Sequence, residues 1–309
     1  MSGIFRLALL LLGLVASGAC AQGVTRVSIG YTASTDSVGL FVAQEQGFFK
    51  NHGLEVMLQQ ISLNSLLPAA LQSDSVQIAG PSVSVVLQAV ENGLDLVAIA
   101  GGASTSHDAT NYAALVRAGA SITRAQDLAG KRVGVPGLGA TLHILTLAWL
   151  SGKGIDPGTV TFVEVPFSQM GDLLRAGTVD AVMSADPMTA RILSTGSGSL
   201  LAYFLKDVPE GLPTSAYSTT RVWARAHPRA VDDFRAALQQ AADFAATHGD
   251  LARAAVARYI KFPPEILAAT WLPRIIVPLT PDRLEWWASV MLKQGLLTRP
   301  PEVSALLVP

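Results

Sequence analysis

Apolar and polar positions along the chain switch between two rhythms. "TRVSIGY" (Thr25–Tyr31) steps with period two and is rich in β-formers, so it predicts a strand. After a polar loop at 32–37, "VGLFVAQEQGFF" changes to helical spacing. "LEVMLQ" then predicts a strand, "SLLPAALQ" a helix, and "SVQIAG" a strand. "SVVLQAVENG" predicts a helix closed by Gly93, and "LDLVAIAGG" another strand. The order begins again further on. "RVGVPG", "VTFVEVP" and "VDAVMSADP" predict strands, with "TLHILTLAWLSGKG" and "QMGDLLRAG" as helices between them. Strands alternating with helices of this length define βαβ units and a mainly parallel sheet.

The recurrence predicts two α/β lobes. Leu71–Ile78 and Leu174–Ala181 both run from a helix end through a turn into a strand, 103 residues apart. Residue identity between them is low. Similar architecture follows; duplication and the general likeness of all βαβ units remain alternative origins. The expected lobe 1 comprises 22–115 and 217–309, and lobe 2 comprises 116–216. "YAALVRA" (112–118) is expected to cross between the lobes, and "AYSTTRVWARAHP" (216–228) to cross back. The remaining segments have helical spacing and are expected to pack on lobe 1.

Composition narrows the function. Half of the 309 residues are hydrophobic and 15% are charged, enough for a sizeable core. The net charge of −1 gives no electrostatic footprint for nucleic acid or an anionic membrane. Residues 1–21 have the pattern of a secretory signal peptide: Arg6, the apolar run "LALLLLGLV", then small residues ending in Ala19-Cys20-Ala21. The run is short for a bilayer span, which needs about 20 residues. Lipid attachment at Cys20 is an alternative, although Ser17 stands where a lipobox has Leu. Cys20 is the only cysteine, so cleavage after Ala21 leaves no disulfide or thiolate chemistry. A periplasmic location is expected.

Catalytic motifs are scarce. The five histidines show no H-x-x-x-H spacing, and neither G-x-S-x-G nor a phosphate-loop pattern occurs. "GKRVGVPGLGATLHIL" (130–145) brings a strand through a Gly-rich turn into a helix. A dinucleotide fingerprint starting at Gly137 needs Gly or Ala where Leu142 stands, and an acid at the end of the next strand, where Pro166 and Phe167 follow. Two readings of the loop stay open. Gly139, Ala140 and Thr141 can offer helix-terminal N–H groups to an acceptor, with the Thr141 hydroxyl and His143 assisting. Equally, the glycines can simply make the turn of an ordinary capped helix. Other predicted strand ends carry similar small polar loops: "TASTDS", "SLNS", "GPSVS", "GGASTSHD" and "SADP". Ligands of open α/β sheets sit outside the carboxyl ends of the strands, and two facing lobes suit a hinged binding protein.

Four segments, in order, carry a family resemblance: "GLFVAQEQGFFKNHGLEVML", "QIAGPSVSVVLQAVENG", "DLAGKRVGVPGLGATLH" and "LLRAGTVDAVMSADP". The chain resembles the periplasmic substrate-binding proteins of ABC importers, in the nitrate/sulfonate/taurine group that includes binders of thiamine pyrimidine precursors. The resemblance implies a type II periplasmic-binding-protein fold, α/β in class, with a small-molecule solute between two lobes. It implies no catalysis, cofactor or metal, a monomer, and an ABC permease and ATPase as partners. By position it places the pocket at Ser34, Thr35, Asp36, Asn64, Ser65, Pro81, Ser82, Ser104, Gly139, Ala140, Thr141 and Asp186, the last followed by Pro187. These loops contain no Arg, which disfavours a sulfonate and leaves carboxylates, pyrimidines or other aromatics. The alternatives are an enzyme of the same fold, pyrimidine-synthase-like or deaminase-like, and a sensory domain serving a membrane kinase. The cysteine cofactor anchor of the deaminases and the His/Cys-rich segment of the synthases have no counterpart here.

Overall fold

A computed structural model describes residues 24–308; the expected signal peptide and Cys20 lie outside the described residues. Ten strands form two five-stranded sheets. The strands are β1 (Thr25–Tyr31), β2 (Leu54–Gln60), β3 (Ile78–Ala79), β4 (Leu96–Gly101), β5 (Tyr112–Arg117), β6 (Arg132–Val135), β7 (Thr161–Glu164), β8 (Ala181–Ala185), β9 (Gly198–Tyr203) and β10 (Ala216–Thr220). The first sheet has the order β2-β1-β3-β10-β4 and the second β7-β6-β8-β5-β9.

Both sheets are mixed, with four of the five strands in each running the same way, as the mainly parallel expectation has it, and one strand reversed. β10 lies antiparallel to β3 and β4, and β5 lies antiparallel to β8 and β9. The cause is the chain path. Strands joined through a helix return parallel, whereas the chain arrives at β5 and β10 from the other sheet, without a crossover helix. Tyr112–Arg117 and Ala216–Thr220, expected as crossings, are therefore strands. The chain changes sheets at 102–111 and again at 204–215.

The two lobes repeat one plan. The helix starts Val38 and Thr141, the helix starts Leu67 and Met170, and the strand starts Ile78 and Ala181 are each 103 residues apart. The first helix, Val38–Glu45, buries its first six residues and has little polar face. That pattern suits an element covered on all sides. Its Phe41 meets Tyr31 of β1 edge-on at 5.1 Å, and the helices Pro228–Thr247 and Gly249–Tyr259 pack against it. Phe49 stacks on Phe234 at 5.8 Å, and Phe234 meets Tyr217 edge-on at 5.3 Å, which fastens these helices to β10.

The expectation that the whole tail covers lobe 1 needs correction. The helix Pro281–Lys293 packs against both Val83–Glu91 of the first lobe and Thr141–Gly152 of the second. Its Leu284, Trp287, Ala288 and Met291 belong to the same buried cluster as the second sheet. Trp287 is fully buried. An amphipathic helix with a continuous apolar stripe can serve two partners at once, so its spacing alone did not reveal which lobe it covers.

Candidate functional site: the cleft between the lobes

A cavity of about 40 Å³ lies where the two sheets face each other. That is room for about three waters, at roughly 10–15 Å³ each. The first lobe contributes Ser34, Asp36, Asn64 and Ser82 from the loops after β1, β2 and β3, and the second contributes Pro136, Ala140, Thr141 and Phe167 after β6 and β7. Parallel strands deliver their carboxyl ends to this edge. An antiparallel strand delivers its beginning instead. Tyr112 opens β5 and Tyr217 lies second in β10, and both line the cavity with Thr214 and Ser215. Sequence reasoning missed these four. The signal was the pair of extended segments at 112 and 216, taken for connections rather than for strands aimed at the site.

On the first lobe, Asn64 and Ser82 meet. The Asn64 side-chain oxygen accepts from the Ser82 backbone N–H at 2.9 Å, which fixes the start of the helix Val83–Glu91. Asp36 sits in a short turn after β1. The Tyr112 hydroxyl donates to Asp36 Oδ2, and Thr214 Oγ1 lies 3.2 Å from the same oxygen. Asp36 Oδ1 is buried with no hydrogen-bond partner among the described residues, and Ser215 Oγ shares that condition. Burial raises the Asp36 carboxyl to about 6, opposed by the Tyr112 and Thr214 hydroxyls. The Tyr112 phenol is raised well above its usual value, first by burial and then by the Asp36 charge. At neutral pH the carboxylate is therefore mostly ionised, and among the described residues it is the only charged side chain lining the cavity.

The Gly-rich loop joins the site differently from the expectation. Gly139 N–H donates to His143 Nδ1 at 2.9 Å, and Ala140 N–H donates to the Gly137 carbonyl at 3.1 Å. Thr141 N–H donates across the cleft to Ser82 Oγ at 3.1 Å, and its hydroxyl donates to the Thr214 carbonyl at 2.6 Å. All three N–H groups expected to hold a ligand thus have partners within the protein. Gly139 has φ 77°, and a Cβ there would meet Gln88 Oε1 of the other lobe at 2.2 Å. The glycine is needed for its left-handed backbone, whereas the Gln88 amide end could swing aside. His143 does not line the cavity. It lies edge-on to Phe162 at 4.7 Å, and burial lowers it to about 4, so it is a neutral acceptor for the turn.

Several other expected site residues form the frame rather than the wall. Thr35 N–H donates to the Asp186 carbonyl at 3.0 Å, across the lobes. Asp186 accepts from Trp271 N–H at 2.9 Å and Ala190 N–H at 3.3 Å, and its peptide bond to Pro187 is cis. Burial raises the Asp186 carboxyl to about 7. Ser104 Oγ donates to the Arg274 carbonyl at 3.1 Å, and the Pro81 carbonyl accepts from Ala216 N–H at 2.9 Å. Ser65 packs by its backbone beside Gly137 of the opposite lobe. None of Thr35, Ser65, Pro81, Ser104, Gly139 or Asp186 lines the cavity.

The architecture is that of periplasmic binding proteins, with a polar cavity closed between two mixed sheets. The chain belongs to the NMT1/THI5 like family, which matches residues 34–252. It superimposes on the alkanesulfonate-binding protein SsuA from Xanthomonas axonopodis pv. citri, bound to MOPS, with a TM-score of 0.79 and 22% identity, covering 92% of this chain and 98% of the other. It is 24% identical over 218 residues to the nitrate import ATP-binding protein NrtC of Synechocystis, covering 65% of this chain and 32% of that one. It is 28% identical over 159 residues to a putative thiamine biosynthesis protein of Haemophilus influenzae, covering 52% of this chain and 49% of that one. The chain thus spans a third to a half of the length of these curated relatives. Among the described residues no helix is long and apolar enough to cross a membrane.

Proposed function

We propose that this chain is the extracytoplasmic solute-binding component of an ABC-type importer, holding a small organic solute between its lobes and presenting it to a membrane permease served by an ATPase. One observation carries the reading: the polar cavity is built from both lobes and sealed by a hydrogen bond that crosses between them, from Thr141 N–H to Ser82, and by one from the Thr141 hydroxyl to Thr214 in the segment that connects the sheets. Such a seal must open for a solute to enter, and the chain crosses between the two sheets only twice among the described residues. Hinge closure around a ligand is the motion this layout supports. Ser34, Asp36, Asn64, Ser82, Ala140 and Thr141 are the proposed contacts, with Tyr112, Thr214, Ser215 and Tyr217 added. Membership of the family and the SsuA-like fold support the reading, as does the import role in the name of the Synechocystis relative. The test is small-angle scattering on the purified protein with and without a small-molecule extract of its host. A smaller radius of gyration with extract is expected. No change with any extract, at concentrations that saturate other binding proteins, would overturn the proposal.

A further inference from the structure

The matched SsuA structure and the Synechocystis relative carry the names of anions, yet the cavity here has the opposite polarity. Among the described residues its only charged side chain is Asp36, and no Lys, Arg or His lines it. Asp36 Oδ2 is engaged by the Tyr112 and Thr214 hydroxyls, which donate to it and so favour its ionised form. Asp36 lines the cavity, and its other oxygen, Oδ1, is buried and without a partner among the described residues. A buried carboxylate oxygen costs free energy until something donates to it. Resting on the solute-binding reading, we infer that the solute presents an N–H donor group, cationic or neutral, to Asp36 Oδ1, and that small inorganic anions and sulfonates are excluded.

The argument is one of charge and valence. An anion placed beside Asp36 would meet like charge in a place where no cationic side chain offsets it. A nitrogen cation would complete the carboxylate's hydrogen bonding and neutralise it in one step. A neutral amide or amine would do the first without the second. Ser215 Oγ, also unpartnered, can accept or donate and adds a second point of contact. The titratable groups facing Asp36 are the phenols of Tyr112 and Tyr217, and burial raises both. Neither changes charge in the range where the carboxyl does. Binding of a cation should therefore follow Asp36 alone. Its affinity should be constant above about 7 and fall about tenfold for each pH unit below about 6.

Guanidinium, urea and nitrate test this directly, because they share a planar three-armed shape and differ mainly in charge and in hydrogen-bond donors. Binding of each is measured by calorimetry at neutral pH and constant chloride, well below denaturing concentrations, with methanesulfonate as a second anion. The expected order is guanidinium above urea, with no binding of nitrate or methanesulfonate. Asp36→Asn should weaken guanidinium about 10- to 150-fold, the range for a hydrogen bond to a charged group. Urea should lose much less. The wild-type series alone is decisive if the variant fails to fold. Nitrate or methanesulfonate binding above guanidinium, or no binding of guanidinium at all, would overturn the inference. An anion that binds and shrinks the radius of gyration would leave the solute-binding reading standing while this inference falls. An extract that shrinks nothing removes both.

Discussion

Replacing Thr141 by Val removes one hydroxyl from the seal between the lobes and little else. Thr and Val are similar in volume, and the residue is 4% exposed. The hydroxyl donates to the Thr214 carbonyl at 2.6 Å, and that carbonyl would be left buried without this donor. Leaving a buried acceptor unpaired costs about 1–3 kcal/mol. In an open arrangement both groups meet water, so the cost falls only on the closed one. At 1.4 kcal/mol per tenfold, the closed population should drop by about 5- to 150-fold relative to the open. Apparent solute affinity should weaken by up to the same factor. The assay is electron–electron distance measurement between spin labels at Met57 and Leu200, both exposed, one on each sheet, in a Cys20→Ser background. Thr141→Val should shift the distances outward, and Thr141→Ser, which keeps the donor, should not. Equal distributions for wild type and Thr141→Val would refute the view that this bond holds the lobes together.

Three further outcomes are expected. Gly80→Ala would place a Cβ 2.8 Å from the Tyr217 ring, so it should cost about 1–3 kcal/mol in thermal unfolding and move Tyr217 from the cavity wall. Trp287→Ala empties a fully buried site shared by both lobes and should cost about 3–5 kcal/mol in urea unfolding, close to the limit for a folded variant. The pH profile follows from Asp186, raised to about 7 by burial. The folded state then binds its proton more readily than the unfolded chain, so this group favours folding at low pH, and its contribution declines as pH rises from about 4 to about 7. Asp36 acts in the same direction up to about 6, while His143, lowered to about 4, acts oppositely up to its ordinary value. Asp186→Asn should flatten the decline in unfolding free energy between pH 5 and 7, and an unchanged slope would remove Asp186 from the explanation.

The elements legible in the sequence were those whose rhythm is set by local burial. β1 alternates, with Val27 and Ile29 buried, and the helix Thr141–Gly152 follows its glycine turn at the expected place. The loops after β1, β2, β3 and β6 were found because parallel strands put their carboxyl-end loops at one edge, and Ser34, Asp36, Asn64, Ser82, Ala140 and Thr141 do line the cavity. What escaped was set by topology. No local pattern distinguishes a strand that runs antiparallel from a connecting segment, so Tyr112 and Tyr217 went unassigned. β9 (Gly198–Tyr203) went unread because its run "GSLLAY" mixes exposed and half-buried positions without alternation. His143 looked like a donor from its place in a helix start. Only the fold shows its Nδ1 turned back to accept from Gly139.

The central claim is that a solute is held between the lobes at Asp36, Ser82 and Thr141. A crystal structure of the protein purified with whatever solute it retains from its host tests this most directly. The account predicts density for a small molecule enclosed by residues of both sheets, with a nitrogen within hydrogen-bond distance of Asp36 Oδ1. Density for a retained solute bound elsewhere on the surface, with the lobes closed over Asp36 and nothing in contact with it, would contradict the account.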